Sequence, residues 1–82
     1  MNNLKQQESV HKLLDRFAFN IYTQDGTTYK YKDLKQVFAL VEKGQDVYCN
    51  TISGHFLVAT CKGLTAEIIR QAKMYADFGE NN

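Results

Sequence analysis

Two runs of alternating aromatic and polar residues, 17–23 and 28–32, stand on either side of Gln24-Asp25-Gly26. Alternation with a period of two marks a half-buried strand, and Asp-Gly between two such runs is a hairpin signal. In the first run Phe17, Phe19 and Ile21 fall on one face, and Ala18, Asn20 and Tyr22 on the other. A two-residue Asp25-Gly26 turn would set Lys30 opposite Ile21 and Lys32 opposite Phe19, on the buried face. A three-residue loop with Gly26 in the left-handed conformation shifts the pairing by one. Tyr29 and Tyr31 then join Phe19 and Ile21, while Lys30 and Lys32 face water. A one-residue slip turns every side chain over, so the three-residue loop is the expected form.

Helical signals surround this hairpin. Asn3 and Gln6 have capping-box spacing, and Val10, Leu13, Leu14 and Phe17 line one helical face. That stripe leaves residues 1–8 free to fray or reach outward. After the hairpin, Asp33 and Gln36 cap a second helix with Leu34, Val37, Phe38 and Val41 as its buried stripe and Gly44 as its terminator. A second hairpin is expected from Val47 to Ile52 and Phe56 to Cys61, around a Ser53-Gly54 turn. Thr65 caps a last helix, with Leu64 placed to staple onto Ile69 and a stripe of Ile68, Ile69, Ala72, Tyr75 and Ala76. Residues 79–82 read as a polar tail.

The order is therefore α-β-β-α-β-β-α. It predicts a small α+β domain over residues 1–82, with two β-hairpins in one mostly antiparallel sheet of about four strands and helices packed on it. A chain of 82 residues is too short to split its core. With 44% hydrophobic residues it is too apolar for disorder. The unit hairpin–helix–glycine occurs twice, ending at Gly44 and Gly79, but few residues match between the halves. The likeness is architectural only.

Charge and composition set several functions aside. The net charge of +1 argues against a general nucleic-acid binder and against a polybasic membrane anchor. Uninterrupted apolar runs such as Phe56–Ala59 are far too short to span a bilayer. The polar start, Met1 to Glu8, has no apolar signal-peptide core. Two cysteines do not make a disulfide framework. Together these features point to the cytoplasm and to no membrane partner.

Site chemistry is sparse. Cys49, His55 and Cys61 share one hairpin, with His11 elsewhere, but the cysteines are twelve apart on different strands. Zinc knuckles draw pairs two to four residues apart, so buried thiols and a turn histidine are the simpler expectation. Neither strand register sets Cys49 across from Cys61 for a disulfide. Ser53 or Cys49 with His55, oriented by Asp46, lacks a strained nucleophile turn. Asp33 is a helix cap and Glu67 a first-turn acid meeting the helix dipole. The glycines are scattered, with no phosphate loop. No catalytic residue, metal or cofactor is expected, and the chain reads as non-enzymatic.

Two features point to partners. The second hairpin has no polar face. One side carries Val47, Cys49, Phe56 and Val58, and the other Tyr48, Ile52, Leu57 and Ala59. An antiparallel sheet with one wet face alternates more cleanly. On the last helix Met74 and Phe78 lie off the core stripe beside Arg70, all types enriched at interfaces. The first helix could cover this patch within one subunit. The leading expectation is a small accessory protein, of a kind common in bacteria and phages. It would bind a protein partner or itself as a homodimer through Tyr48, Ile52, Leu57, Arg70, Met74 and Phe78. The alternative is a nucleic-acid-binding module using Lys30, Lys32 and Lys35, which interleave with Tyr29 and Tyr31. Alternation, however, sends those tyrosines and lysines to opposite faces.

Overall fold

Gly26 decides how the first hairpin closes. In the computed structural model, whose described residues are 4–80 with side chains described through Ala76, Gly26 has a φ of +90°. Its N–H donates to Thr23 O at 2.9 Å, and the Thr23 N–H donates to Thr27 O at 3.0 Å. Asp25 Oδ1 accepts from the Thr27 N–H at 3.0 Å and from the Thr23 hydroxyl, which fastens the three-residue loop. Strand β1 (Asn20–Thr23) then pairs with β2 (Thr28–Tyr29), Ile21 opposite Tyr29 and Tyr22 opposite Thr28. This is the register expected of the longer loop.

The pairing stops sooner than the alternation suggested. Helix α1 (Leu4–Phe17) takes Phe17 as its last residue, so Phe17 does not begin the strand. The chain bends at Ala18 and Phe19, which buries Ala18 and leaves Phe19 68% exposed. Tyr31, past the end of β2, is 69% exposed. Both were expected inside. Lys32 was expected to face water. Instead its ammonium folds back to donate to the Ala18 carbonyl just beyond α1, where a cation meets the negative end of the helix.

Residues 4–8, expected to fray or reach outward, form the start of α1. The Asn3 cap lies outside the described residues. Val10, Leu13 and Leu14 are buried and Phe17 packs against the core they form. In α2 (Leu34–Glu42) the Gln36 N–H donates to Asp33 Oδ1 at 2.8 Å, and Gly44 N–H donates to Val41 O at 2.9 Å with φ +87°. Both ends are thus closed by the residues expected to close them. Leu40 is buried beside Val37 and belongs to the stripe as well.

The second hairpin joins β3 (Val47–Thr51) to β4 (Gly54–Thr60). Thr51 pairs with Gly54, so Ile52-Ser53 forms the turn, not Ser53-Gly54. Ile52 consequently sits at the tip, 86% exposed, and not on a sheet face. Cys49 faces Phe56, Tyr48 faces Leu57, and a bulge then sets Val47 opposite Ala59. The extra residue lets Val58 and Ala59 both be buried. Ala59 was expected beside Tyr48 and Leu57. The bulge removes it to the core.

A short β5 (Gly63–Leu64) pairs with β4, making the sheet five-stranded in the antiparallel order β2-β1-β3-β4-β5. Two residues show no alternation, which hid this strand. Thr65 then caps α3 (Ala66–Glu80), its Oγ1 accepting from the Ile68 N–H at 3.1 Å and its own N–H donating to Val58 O at 3.0 Å. The helix runs through Gly79 and Glu80, which were expected in a polar tail. All three helices contribute to one core: Val10, Leu13 and Leu14, Val37 and Leu40, and Ile68 and Ala72 meet Ile21, Val47 and Cys49 of the sheet. Each Val, Leu and Ile among them contributes roughly 1.5–3 kcal/mol by leaving water.

A helix-free sheet face as the candidate site

The strands are buried on one side only. Ile21, Thr23, Val47, Cys49 and Thr51 are buried, while the residues between them are not. The helices therefore cover one face, and Asn20, Tyr22, Tyr48, Asn50, His55 and Leu57 occupy the other.

Register assembles these six. Tyr22 pairs with Tyr48, Asn20 with Asn50, Asn50 with His55 and Tyr48 with Leu57. The Tyr22 and Tyr48 rings stack, with centroids 5.4 Å apart and planes 14° from parallel. The His55 ring meets Tyr22 edge-on at 6.0 Å and 81°, and its Nδ1 lies 3.0 Å from the Tyr22 hydroxyl. The Asn20 N–H donates to Asn50 Oδ1 at 3.1 Å. Burial pushes the Tyr22 phenol above its usual range, and the neighbouring Cys49 and Tyr48 add to the shift. Tyr22 therefore remains a neutral hydrogen-bonding group at neutral pH. None of the six is a lysine, an arginine or a carboxylate. The constellation offers stacking, apolar contact and neutral hydrogen bonds.

The structure divides the interface residues named from sequence. Tyr48 and Leu57 lie on this face, both half-buried. Ile52 stands apart at the hairpin tip. Arg70 and Met74 belong to α3, in the helix layer behind the sheet. Arg70 is exposed and pairs with Glu67 Oε2 at 2.7 Å, which holds the Glu67 carboxyl below its usual range. Met74 is 45% exposed, so α1 does not cover it. The side chain of Phe78 lies outside the described residues. Tyr22 was missed as a site residue although alternation set it opposite Ile21. The signal was present, but its contact with Tyr48 depends on which strands become neighbours.

The other candidates do not converge. Cys49 is buried under the helices, His55 lies on the opposite face, and Cys61 is exposed past the end of β4. Cys61 was expected to be buried. No group of three or more metal-ligating side chains occurs among the described residues. Ser53 Oγ is 2.7 Å from the Tyr75 hydroxyl, and His55 Nδ1 is engaged by Tyr22. Lys30 and Lys35 are exposed, but Lys32 is tied to Ala18 O. Among the described residues no helix is long and apolar enough to cross a membrane. No protein family, curated protein or solved structure matches the chain.

Proposed function

We propose that this chain is a non-enzymatic, cytoplasmic accessory protein that docks on another protein chain through the helix-free face of its sheet. The observation that carries the reading is the surface formed by Tyr22, Tyr48, Leu57, Asn20, Asn50 and His55, which includes no lysine, arginine or carboxylate. Interface centres are poor in charge and rich in aromatic residues. A nucleic-acid surface needs cations at the phosphates, and these six positions include no lysine or arginine. The alternative reading, a nucleic-acid module built on Lys30, Lys32 and Lys35, is weakened further because Lys32 is engaged within the chain. Strand addition is a poor route to a partner, since both edge strands have only two residues.

The test is native mass spectrometry of the gently purified protein beside its Tyr48→Asp and Leu57→Asp variants, with circular dichroism confirming that each variant folds. The expected result is an assembly with a protein chain that both substitutions abolish. An assembly that survives both would sink the reading. Bound oligonucleotide, released by salt and by replacing Lys30 and Lys35 with alanine, would favour the nucleic-acid alternative.

A further inference from the structure

Helices α1 and α3 do not close completely against each other. On α3 the short side chains of Ala72 and Ala76, one turn apart, leave a gap facing α1, a cleft of about 180 Å³. Its floor is apolar. Leu13 and Ala72 are buried there, and the Phe17 ring is stacked on Tyr75. Lys12 and Arg16, also one turn apart, line it from α1 together with Ser9. Both cations are exposed, so they stand at the mouth of the cleft.

Neither cation is neutralised within the described residues, where the one ion pair joins Arg70 to Glu67. Glu8 and Asp15 lie within a helical turn of Lys12, yet neither pairs with it and neither lines the cleft. Arg16 is instead held over the Phe17 ring, its Cζ 5.8 Å from the centroid. That contact steadies the guanidinium without using its N–H groups, which form a planar fork suited to a carboxylate.

We infer that this cleft binds a small organic carboxylate whose apolar body is no larger than a single ring. The ring lies on Leu13, Phe17 and Ala72, and the carboxylate lies between Lys12 and Arg16. Size selects a small molecule: an apolar cavity of about 150 Å³ takes a benzene ring, whereas a partner helix is roughly 10–12 Å across. Chemistry selects the acid. The apolar floor favours a hydrocarbon body leaving water, and two cations without a counter-charge favour an anionic head. The cleft lies in the helix layer, on the opposite side of the sheet from the docking face, and stands or falls independently of it.

The experiment follows the backbone amide resonances of the full chain as sodium benzoate is added at constant ionic strength. Benzamide keeps the shape without the charge, and acetate keeps the head without the ring. Expected is saturable benzoate binding in about the millimolar range, as a ligand of this size allows, with shifts centred on Leu13 and Ala72. Benzamide and acetate should each bind roughly tenfold more weakly, lacking the charge-assisted bonds in one case and the buried ring in the other. Arg16→Gln and Lys12→Gln, which keep helix propensity, should each weaken benzoate by roughly five- to tenfold. Ala76→Leu fills the cleft and should abolish binding while the spectrum keeps its dispersion. Should that variant lose its fold, the two glutamine variants decide.

Benzoate shifts that never saturate overturn the site. Binding that survives in a folded Ala76→Leu overturns its place between the helices. Affinity for benzamide equal to that for benzoate, or indifference to both glutamine variants, overturns the carboxylate. Affinity for acetate equal to that for benzoate overturns the apolar body.

Discussion

The ring of Tyr75 in α3 lies against the ring of Phe17, the last residue of α1, with centroids 4.4 Å apart and planes 21° from parallel. The Tyr75 hydroxyl continues to Ser53 Oγ in the turn between β3 and β4, at 2.7 Å. One side chain thus joins two helices and the tip of a hairpin. Tyr75→Phe removes only a solvent-accessible hydrogen bond and is expected to cost less than about 1 kcal/mol. Tyr75→Ala also removes the stack and its buried area, at roughly 2–3 kcal/mol. Urea unfolding of the three proteins checks this. Equal losses in the two variants would show that the ring contact contributes nothing.

The two thiols should react on different clocks. Cys61 is exposed, whereas Cys49 is buried between the sheet and the helices, and burial pushes its thiol up to about 11. Since the thiolate is the reactive form, a thiol reagent at neutral pH is expected to modify Cys61 promptly. Cys49 should react only as the protein opens. Peptide mapping after timed alkylation reads both rates. Prompt labelling at Cys49 would contradict the core packing described above.

Acid should loosen the first hairpin. Asp25 sits below its ordinary carboxylate range, held chiefly by the Thr23 hydroxyl and then by the Thr27 N–H. A depressed folded-state value favours the folded protein above the ordinary range, and that contribution is lost as pH falls through the depressed value. Wild type is therefore expected to lose stability below about pH 4 more steeply than Asp25→Asn. Thermal melts across that range measure the difference. Parallel acid limbs would show that the Asp25 bonds do not distinguish folded from unfolded chain.

Several features of this fold can be read locally. Gly26 permits a loop that packs Tyr29 against the core and leaves Lys30 exposed, so composition and backbone freedom together set the first register. The caps at Asp33 and Thr65 are local too, because each bonds an N–H three residues onward. The buried stripes of α1 and α3 follow from helical spacing alone.

Phe17 to Phe19 shows where local reading fails. Both helical spacing and strand alternation claim Phe17, and only its packing against Tyr75 at the end of α1 resolves the conflict. The bulge at Val58 is similar: the hydrophobic run from Phe56 to Ala59 fits either register, and contact with the helices determines that Val58 and Ala59 are both buried.

The sequence by itself determined the α+β class, the first hairpin register and the helix caps, because hydrogen bonds and side-chain periodicity within a few residues decide them. Tertiary structure decided that β1 lies beside β3 and that all the helices share one side. Those choices depend on which distant apolar faces meet, and they alone brought Tyr22, Tyr48 and His55 into a common surface.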